Sequence, residues 1–553
     1  MEWDRKIRIT GMFFSILLAA LIMQVDSARA EEDDPGRTTT IVVSYTEYKW
    51  WLISWDDNEV WCTVYADHEG VPNSEEVFRD CGEVIGQIWQ NTPACNLDEE
   101  KEETPADCKG LYFQLVSSEP KDKEVVVELP ETVVWVDLEG CAPTPPTNFC
   151  PEIPNLLLLG EEPLPNEEIV AIHGLYAGEP FMCPGESCAV PLRPSPILGS
   201  EIEFWAESSF GDTSDHYKVL VRVVDTGATD APGGSGWYVD VISSQWVGDP
   251  LASCARIWQS FPPLGGPPDW LKTPESEALI GSDEPYFYLA GRLISQGLVD
   301  VSECVSGGLL PNGYADACGL EKANPLLVEW QNQFDARIIE VANETGIPAQ
   351  LIKNLFAQES QFWPGVFRVP YEFGLGQVTD KGADSVLLWN QSFYDQFCPL
   401  VLAEETCAEG YLSMAEGEQE ILRGAVALSA KTDCDECISG IDLTHTSFSV
   451  SLFANILQAS CAQICQTIMN ATGAMAGETS TYEDLWRYTV ANYHAGSGCT
   501  AYAIHQAWLN EGLLNWELVK KYFTEPCKGV IPYVEKITKG EVEFNQTQPV
   551  SNP

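Results

Sequence analysis

The sequence predicts a multidomain protein, with N-terminal β-rich, sandwich-like modules followed by a C-terminal, mainly α domain. Three observations carry this. At 553 residues the chain is too long for one hydrophobic core. Before Phe261 it runs in short stretches of branched and aromatic residues separated by turn residues. After the stretch FPPLGGPP, Phe261–Pro268, apolar residues recur at helical spacing instead. The prolines and glycines of that stretch exclude regular structure and mark a linker or stiff elbow.

Taken in order, residues 1–30 read as an export signal. Arg5, Lys6 and Arg8 precede the apolar run Met12–Met23, and Ala28-Arg29-Ala30 fits a small-residue cleavage site. The run is short for a bilayer span. No later stretch reads as long and apolar enough, so no membrane span is expected in the mature chain. Glu31–Gly36 is an acidic start. A first β-rich module is expected over 37–108, with TTTIVVSY, WWLISW and EVWCTVYA as strands. Asp56-Asp57-Asn58 would be its hairpin turn, Val77–Trp89 a short helix and Asn96–Lys109 an exposed loop. A second, sandwich-like module at 109–195 holds LYFQLVSS, EVVVELP and TVVWVDL, then the proline-rich Pro143–Pro154. Its candidate staples are Cys141, Cys150, Cys183 and Cys188. A third module at 196–262 holds EIEFWAES, YKVLVRVVD and GWYVDVISS, with Gly233-Gly234-Ser235-Gly236 as a loop. The tripeptide Ile-Trp-Gln at Ile88 and again at Ile257 hints that the first and third modules are related.

Residues 263–325 form a linker and helical lead-in, including a helix at Tyr286–Leu298. The domain at 326–538 is expected to be helical at Leu326–Thr345, Asp384–Phe397, Glu418–Ala430, Ser447–Thr472, Tyr482–Tyr493 and Cys499–Asn510. Residues 539–553 are a polar tail.

Composition narrows the function classes. The formal charge of −53, from 83 acidic and 30 basic residues, excludes nucleic acid as a natural partner, because phosphate binding needs clustered Lys and Arg. Anionic membrane surfaces are disfavoured for the same reason. The 19 cysteines suit disulfides in an oxidising compartment, and an odd number leaves at least one thiol otherwise engaged. Cys304–Cys318 and Cys398–Cys407 are candidate short bridges, although connectivity does not follow from sequence. Cys434-x2-Cys437 with Cys461-x3-Cys465 is open to two readings, a four-thiolate zinc site or disulfides, and an exported chain favours disulfides. No cofactor and no bound metal are expected.

The stretch Gly346–Gln377 concentrates the chemistry. Pro348 suits the start of a helix, and Leu351, Ile352, Leu355 and Phe356 mark one apolar face. Glu359 falls on that face, three residues after Phe356. A carboxyl against apolar side chains is partly stripped of water, which disfavours its charged form and suits a general acid. Gly374-Leu375-Gly376-Gln377 then supplies a close-approach turn ending in an amide. The plainer reading of Glu359 is a solvated helix end or half of a surface ion pair.

Glu359-Ser360, the turn Gly374-Leu375-x-Gln377 and, downstream, Tyr493-His494-Ala495-Gly496 resemble in order the three signatures of the lytic transglycosylase (SLT) family. The resemblance covers roughly Leu326–Ile537. Gly376 stands where that family has methionine, and His494 where it has asparagine. It implies a lysozyme-like fold and cleavage of the β-1,4 bond between N-acetylmuramic acid and N-acetylglucosamine in peptidoglycan glycan strands. Glu359 would be the acid, and then the base that closes a 1,6-anhydro ring. Ser360, Gly374, Leu375, Gln377, Tyr493, His494, Ala495 and Gly496 would shape or contact the substrate, with Tyr493 orienting Glu359 through its hydroxyl. Hydrolysis would need a second carboxylate, for which Asp380 and Asp384 are the candidates, and Trp363 and Trp389 are candidates for stacking on sugars. The implied protein is secreted or held in the cell envelope, its β modules facing a wall or surface partner. The rival is a cell-surface protein that holds glycan without cutting it. A groove closed by Trp363 or a cystine loop, or Glu359 paired with lysine or arginine, would favour that rival.

Overall fold

The computed structural model describes residues 37–539, apart from 93–107, 142–147, 228–234, 247–252, 365–366, 369–370, 433, 435 and 438–439. The export segment, the acidic start, most of the Asn96–Lys109 loop, Gly233, Gly234 and nearly all of the tail lie outside the described residues. The chain divides into two compact units, residues 1–131 with 163–166, and residues 132–162 with 167–553.

The first unit is an antiparallel sheet of β1 (Thr38–Ser54), β2 (Val60–Ala66) and β3 (Leu111–Glu128), in the order β2-β1-β3. β1 and β3 pair from Thr38 opposite Glu128 to Ser54 opposite Leu111. The stretches expected as separate strands are therefore continuous. A partner strand satisfies the backbone through the polar residues Thr46–Lys49, where side-chain pattern alone reads as a break. β3 thus belongs to the first module, and the boundary expected at 108 falls at Glu131. Helix α1 (Ser74–Gln90) opens with a reciprocal cap between Asn73 and Glu76. Its Val77 joins Leu52, Val64 and Leu111 in a small core, and Cys62–Cys81 ties β2 to it.

Among the described residues the second unit begins with nine strands: β4 (Val133–Glu139), β5 (Phe149–Cys150), β6 (Asn155–Glu161), β7 (Ile169–Tyr176), β8 (Glu179–Pro184), β9 (Ser187–Pro191), β10 (Ser200–Ser208), β11 (Tyr217–Asp225) and β12 (Trp237–Ser243). They form two sheets, β4-β6-β9 and β5-β12-β11-β10-β7-β8. Alternate residues point inward: Val134, Val136, Leu156 and Leu158 of one sheet share a core with Ile172, Ile202, Phe204, Val221 and Val223 of the other. The second and third expected modules are therefore one sandwich, and the boundary at 195 falls inside it. Cys141–Cys150 and Cys183–Cys188 are its staples. At the elbow, buried Arg222 binds Asp240 at 2.8 and 2.6 Å, donates to the Pro262 carbonyl at 2.7 Å and lies over the Phe261 ring.

The helical region contains α2 (Phe287–Ser295), α3 (Ala317–Asn332), α4 (Asp335–Thr345), α5 (Ala349–Glu359), the short hairpin β13 (Phe367–Arg368) and β14 (Tyr371–Glu372), then α6 (Asp380–Trp389), α7 (Glu416–Ser429), α8 (Leu443–Thr472), α9 (Tyr482–Ala495), α10 (Ser497–Glu511) and α11 (Val530–Ile537). The helix expected over Leu326–Thr345 breaks at Gln333–Phe334, where Phe334 turns into the core and Asp335 opens a second helix. α8 is the axis, packing against α4, α6, α9 and α10. It also corrects the reading that no later stretch has the length and apolarity of a membrane span. By composition α8 meets that test, but 72% of its apolar window is buried inside the protein. Among the described residues eight disulfides have both partners placed, as expected of an oxidising, extracytoplasmic setting. Cys434 bonds Cys437 and Cys461 bonds Cys254, so the four-thiolate alternative is not assembled. Cys465 is a buried free thiol.

α5 buries Leu351, Ile352, Leu355 and Phe356 completely, each worth about 1.5–3 kcal/mol. Lys353 of the same helix is equally buried, and its Nζ lies 2.5 Å from Asp335 and 3.0 Å from the Gln331 carbonyl. Burial drives both groups toward their neutral forms, Asp335 up to about 6 and Lys353 down, and each is opposed by its partner. The pair locks α5 onto α4. Lys353→Met is expected to cost about 3–5 kcal/mol in urea denaturation, because it strands a buried carboxylate. Lys353→Met combined with Asp335→Leu is expected to cost less than that single change.

Candidate active site

α5 delivers Glu359 to the mouth of a cleft of about 1040 Å³. The side chain is only 16% exposed, a carboxyl seated on an apolar helix face but open to the cleft. Ser360 closes the helix, its N–H and hydroxyl both donating to the Phe356 carbonyl, at 3.1 and 3.3 Å.

The hydroxyl that orients Glu359 belongs to Tyr533 of α11, which donates to Glu359 Oε1. Burial, reinforced by the charge of Glu359, pushes the Tyr533 phenol well above its usual value, so it remains a donor. His494 stacks on the Tyr533 ring at 3.8 Å, and its Nδ1 lies 3.9 Å from Glu359 Oε1. Tyr493, expected in the orienting role, donates instead to the Gly376 carbonyl. The reason is the register of α9: Tyr493 faces the glycine turn and α8, leaving the carboxyl to α11. The Tyr493 hydroxyl thus pins the turn that Glu359 faces.

That turn is closed by reciprocal backbone bonds between Phe373 and Val378, at 3.0 and 2.8 Å. Gly374 sits at φ +72°, and a Cβ there would lie 3.0 Å from the Ala430 carbonyl. At Gly376 a Cβ would meet the Phe453 ring at 2.1 Å. Phe453 of α8 occupies the space that a larger residue at 376 would need. Gln377 is 7% exposed, and its Nε2 donates to the Gly374 carbonyl at 2.7 Å. Its Oε1 is buried, with no hydrogen-bond partner among the described residues.

The structure brings Glu359, Gln377, Tyr493, His494, Ala495 and Gly496 to the cleft wall. Ser360, Gly374 and Leu375 lie behind it, buried, and shape rather than touch the cleft. Trp389 lines the cleft, whereas Trp363 is 2% exposed, stacked on Trp330 and covered by the Arg292 guanidinium. The Cys499–Cys527 bridge lies on the cleft wall and does not close it. Of the two expected second carboxylates, Asp380 lies in the first turn of α6 outside the cleft lining. Asp384 reaches the cleft but accepts from the Tyr411 hydroxyl at 2.7 Å and from Arg423 at 3.3 Å. The carboxyl that joins Glu359 is Glu372 on β14. Burial, then the charge of Glu359, push Glu372 upward, while His494 pulls it down. Sequence reasoning passed over Glu372 although it lies two residues before Gly374. Tyr533 carries no sequence signal at all.

The arrangement offers one oriented carboxyl able to give and take a proton, with an unfilled acceptor beside it. Tyr533→Phe removes a hydrogen bond to a charged group, worth about 1.5–3 kcal/mol. Its loss is expected to lower stability by no more than that amount, measured by urea denaturation of the variant against the wild type. Gly376→Met is expected to destabilise by about 1–3 kcal/mol through overpacking against Phe453, and adding Phe453→Ala to recover part of that loss in thermal melts.

The chain matches no protein-family model, no curated protein and no solved structure.

Proposed function

We propose that the helical region is a lysozyme-like domain and that the protein is an exported enzyme cutting the β-1,4 bond between N-acetylmuramic acid and N-acetylglucosamine in peptidoglycan. The observation that carries this reading is Glu359, largely buried, hydrogen-bonded by the Tyr533 phenol and open to the cleft. In this reading Glu359 protonates the leaving glycosidic oxygen. The same carboxylate then takes the proton from the sugar's 6-hydroxyl, which attacks C1 and closes the 1,6-anhydro ring. The buried acceptor of Gln377 receives a hydrogen bond from an N-acetyl N–H or a hydroxyl. Ala495 and Gly496 leave the wall low enough for a sugar ring to approach.

Two features count against a protein that merely holds glycan. Glu359 has no lysine or arginine partner among the described residues, only Tyr533 and His494. Trp363 is in the core rather than across the groove. In this reading the β-rich parts of the chain hold the enzyme at a wall or surface partner, and its acidity suits work within its own envelope.

The test is digestion of purified peptidoglycan by the mature protein and by Glu359→Gln, with soluble muropeptides analysed by mass spectrometry. Anhydro-muramic ends are expected from the wild type, falling at least about 100-fold in the variant. Binding without any release by the wild type would leave the glycan-holding protein instead.

A further inference from the structure

We propose that Glu372 is a general base that activates water in this cleft, so that the enzyme also releases glycan with reducing ends. This rests on the reading of Glu359 as the acid and adds a second reaction channel to it.

Glu359 and Glu372 reach one cleft from different elements, the end of α5 and strand β14. Their availability differs. Glu359 is held by Tyr533, whereas the Glu372 side chain has no hydrogen bond and no ion pair to any described residue. A half-buried carboxyl with its lone pairs unfilled, facing the cleft, is a seat for water. Asp384 is disqualified by Tyr411 and Arg423, which occupy its carboxyl, and Asp380 by its position outside the lining. Lys381, the one lysine in the lining, makes no ion pair with Glu372 that would occupy it. The cleft therefore holds two carboxyls in different settings, Glu359 bonded by the Tyr533 phenol and Glu372 with its oxygens open. That is the complement of groups a water-dependent cleavage requires.

Glu359 gives its proton to the glycosidic oxygen as the C1–O bond breaks with its electron pair leaving on that oxygen. A water held by Glu372 attacks C1 through its oxygen, forming the new C1–O bond, and its proton passes to the Glu372 carboxylate. Glu372 returns that proton to Glu359 through solvent, and the pair is reset. In the competing channel the 6-hydroxyl takes the place of water and Glu359 takes the place of Glu372.

The experiment is digestion of peptidoglycan in heavy-oxygen water by the wild type, Glu372→Gln and Glu359→Gln, with reducing and anhydro ends counted separately by mass spectrometry. The wild type is expected to yield both ends, with heavy oxygen at the reducing ones. In Glu372→Gln the reducing ends are expected to fall roughly 100-fold while anhydro ends persist, the latter serving as the check that the variant is folded. Glu372→Ala with added azide, a nucleophile that needs no base, is expected to form a glycosyl azide, which a purely structural role for Glu372 would not produce. Reducing ends unchanged in Glu372→Gln, both kinds of end lost in parallel, a wild type making anhydro ends only, or no azide adduct would each overturn the assignment while leaving the glycan-cutting reading standing. No product of either kind from the wild type would overturn both.

Discussion

The ring of Phe453, about a third of the way along the central helix, is the contact on which the cleft depends. It packs on Phe356 at 4.8 Å, meets Tyr493 edge-on at 5.2 Å and lies where a side chain at residue 376 would stand. Those three neighbours sit on the helix of Glu359, the end of α9 and the glycine turn. One aromatic side chain thus sets the spacing between the acid, the turn and the far wall. Because packed interiors do not compress, a change of volume at any of the three is passed to the others. The absence of a side chain at 376 is the counterpart of the ring at 453.

Around this apolar contact the polar groups divide by function. Lys353 of α5 and Asp335 of α4 are buried outside the cleft lining, and a carboxylate and an ammonium removed from water hold only because each completes the other's bonding. At the cleft, Glu359 is bonded on one oxygen by Tyr533, while among the described residues neither Gln377 Oε1 nor the Glu372 carboxyl has a hydrogen-bond partner. The first pair spends its hydrogen bonds on the fold. The second group leaves part of its hydrogen-bonding capacity unused within the described residues.

The disulfides follow the same division. Cys254–Cys461 joins the segment after the sandwich to the central helix across 207 residues, beside the bond from the Trp258 indole to the Cys461 carbonyl. Cys499–Cys527 joins the start of α10 to the approach of α11, and so tethers the helix that supplies Tyr533 to the corner that supplies His494. A chain this acidic gains from such links, since like charges oppose compaction.

The sequence by itself determined the β-to-α order of the chain, most of its helices and the position of Glu359 on an apolar face. These rest on local periodicity and on turn residues, which act over a few positions. It also carried Gln377 and the corner Tyr493–Gly496 to the same cleft wall. Only the tertiary structure decided that two expected modules are one sandwich, that polar stretches of β1 and β3 run on as strand, and that Leu326–Thr345 is two helices. It alone showed that Tyr533 rather than Tyr493 bonds Glu359, and that Glu372 rather than Asp380 or Asp384 shares its cleft without a hydrogen-bond partner among the described residues. Each of these depends on a partner distant in sequence: a pairing strand, a facing sheet, or a phenol 174 residues from the carboxyl it orients. A carboxylate's role is set by what occupies its lone pairs, and for these groups that is supplied by folding.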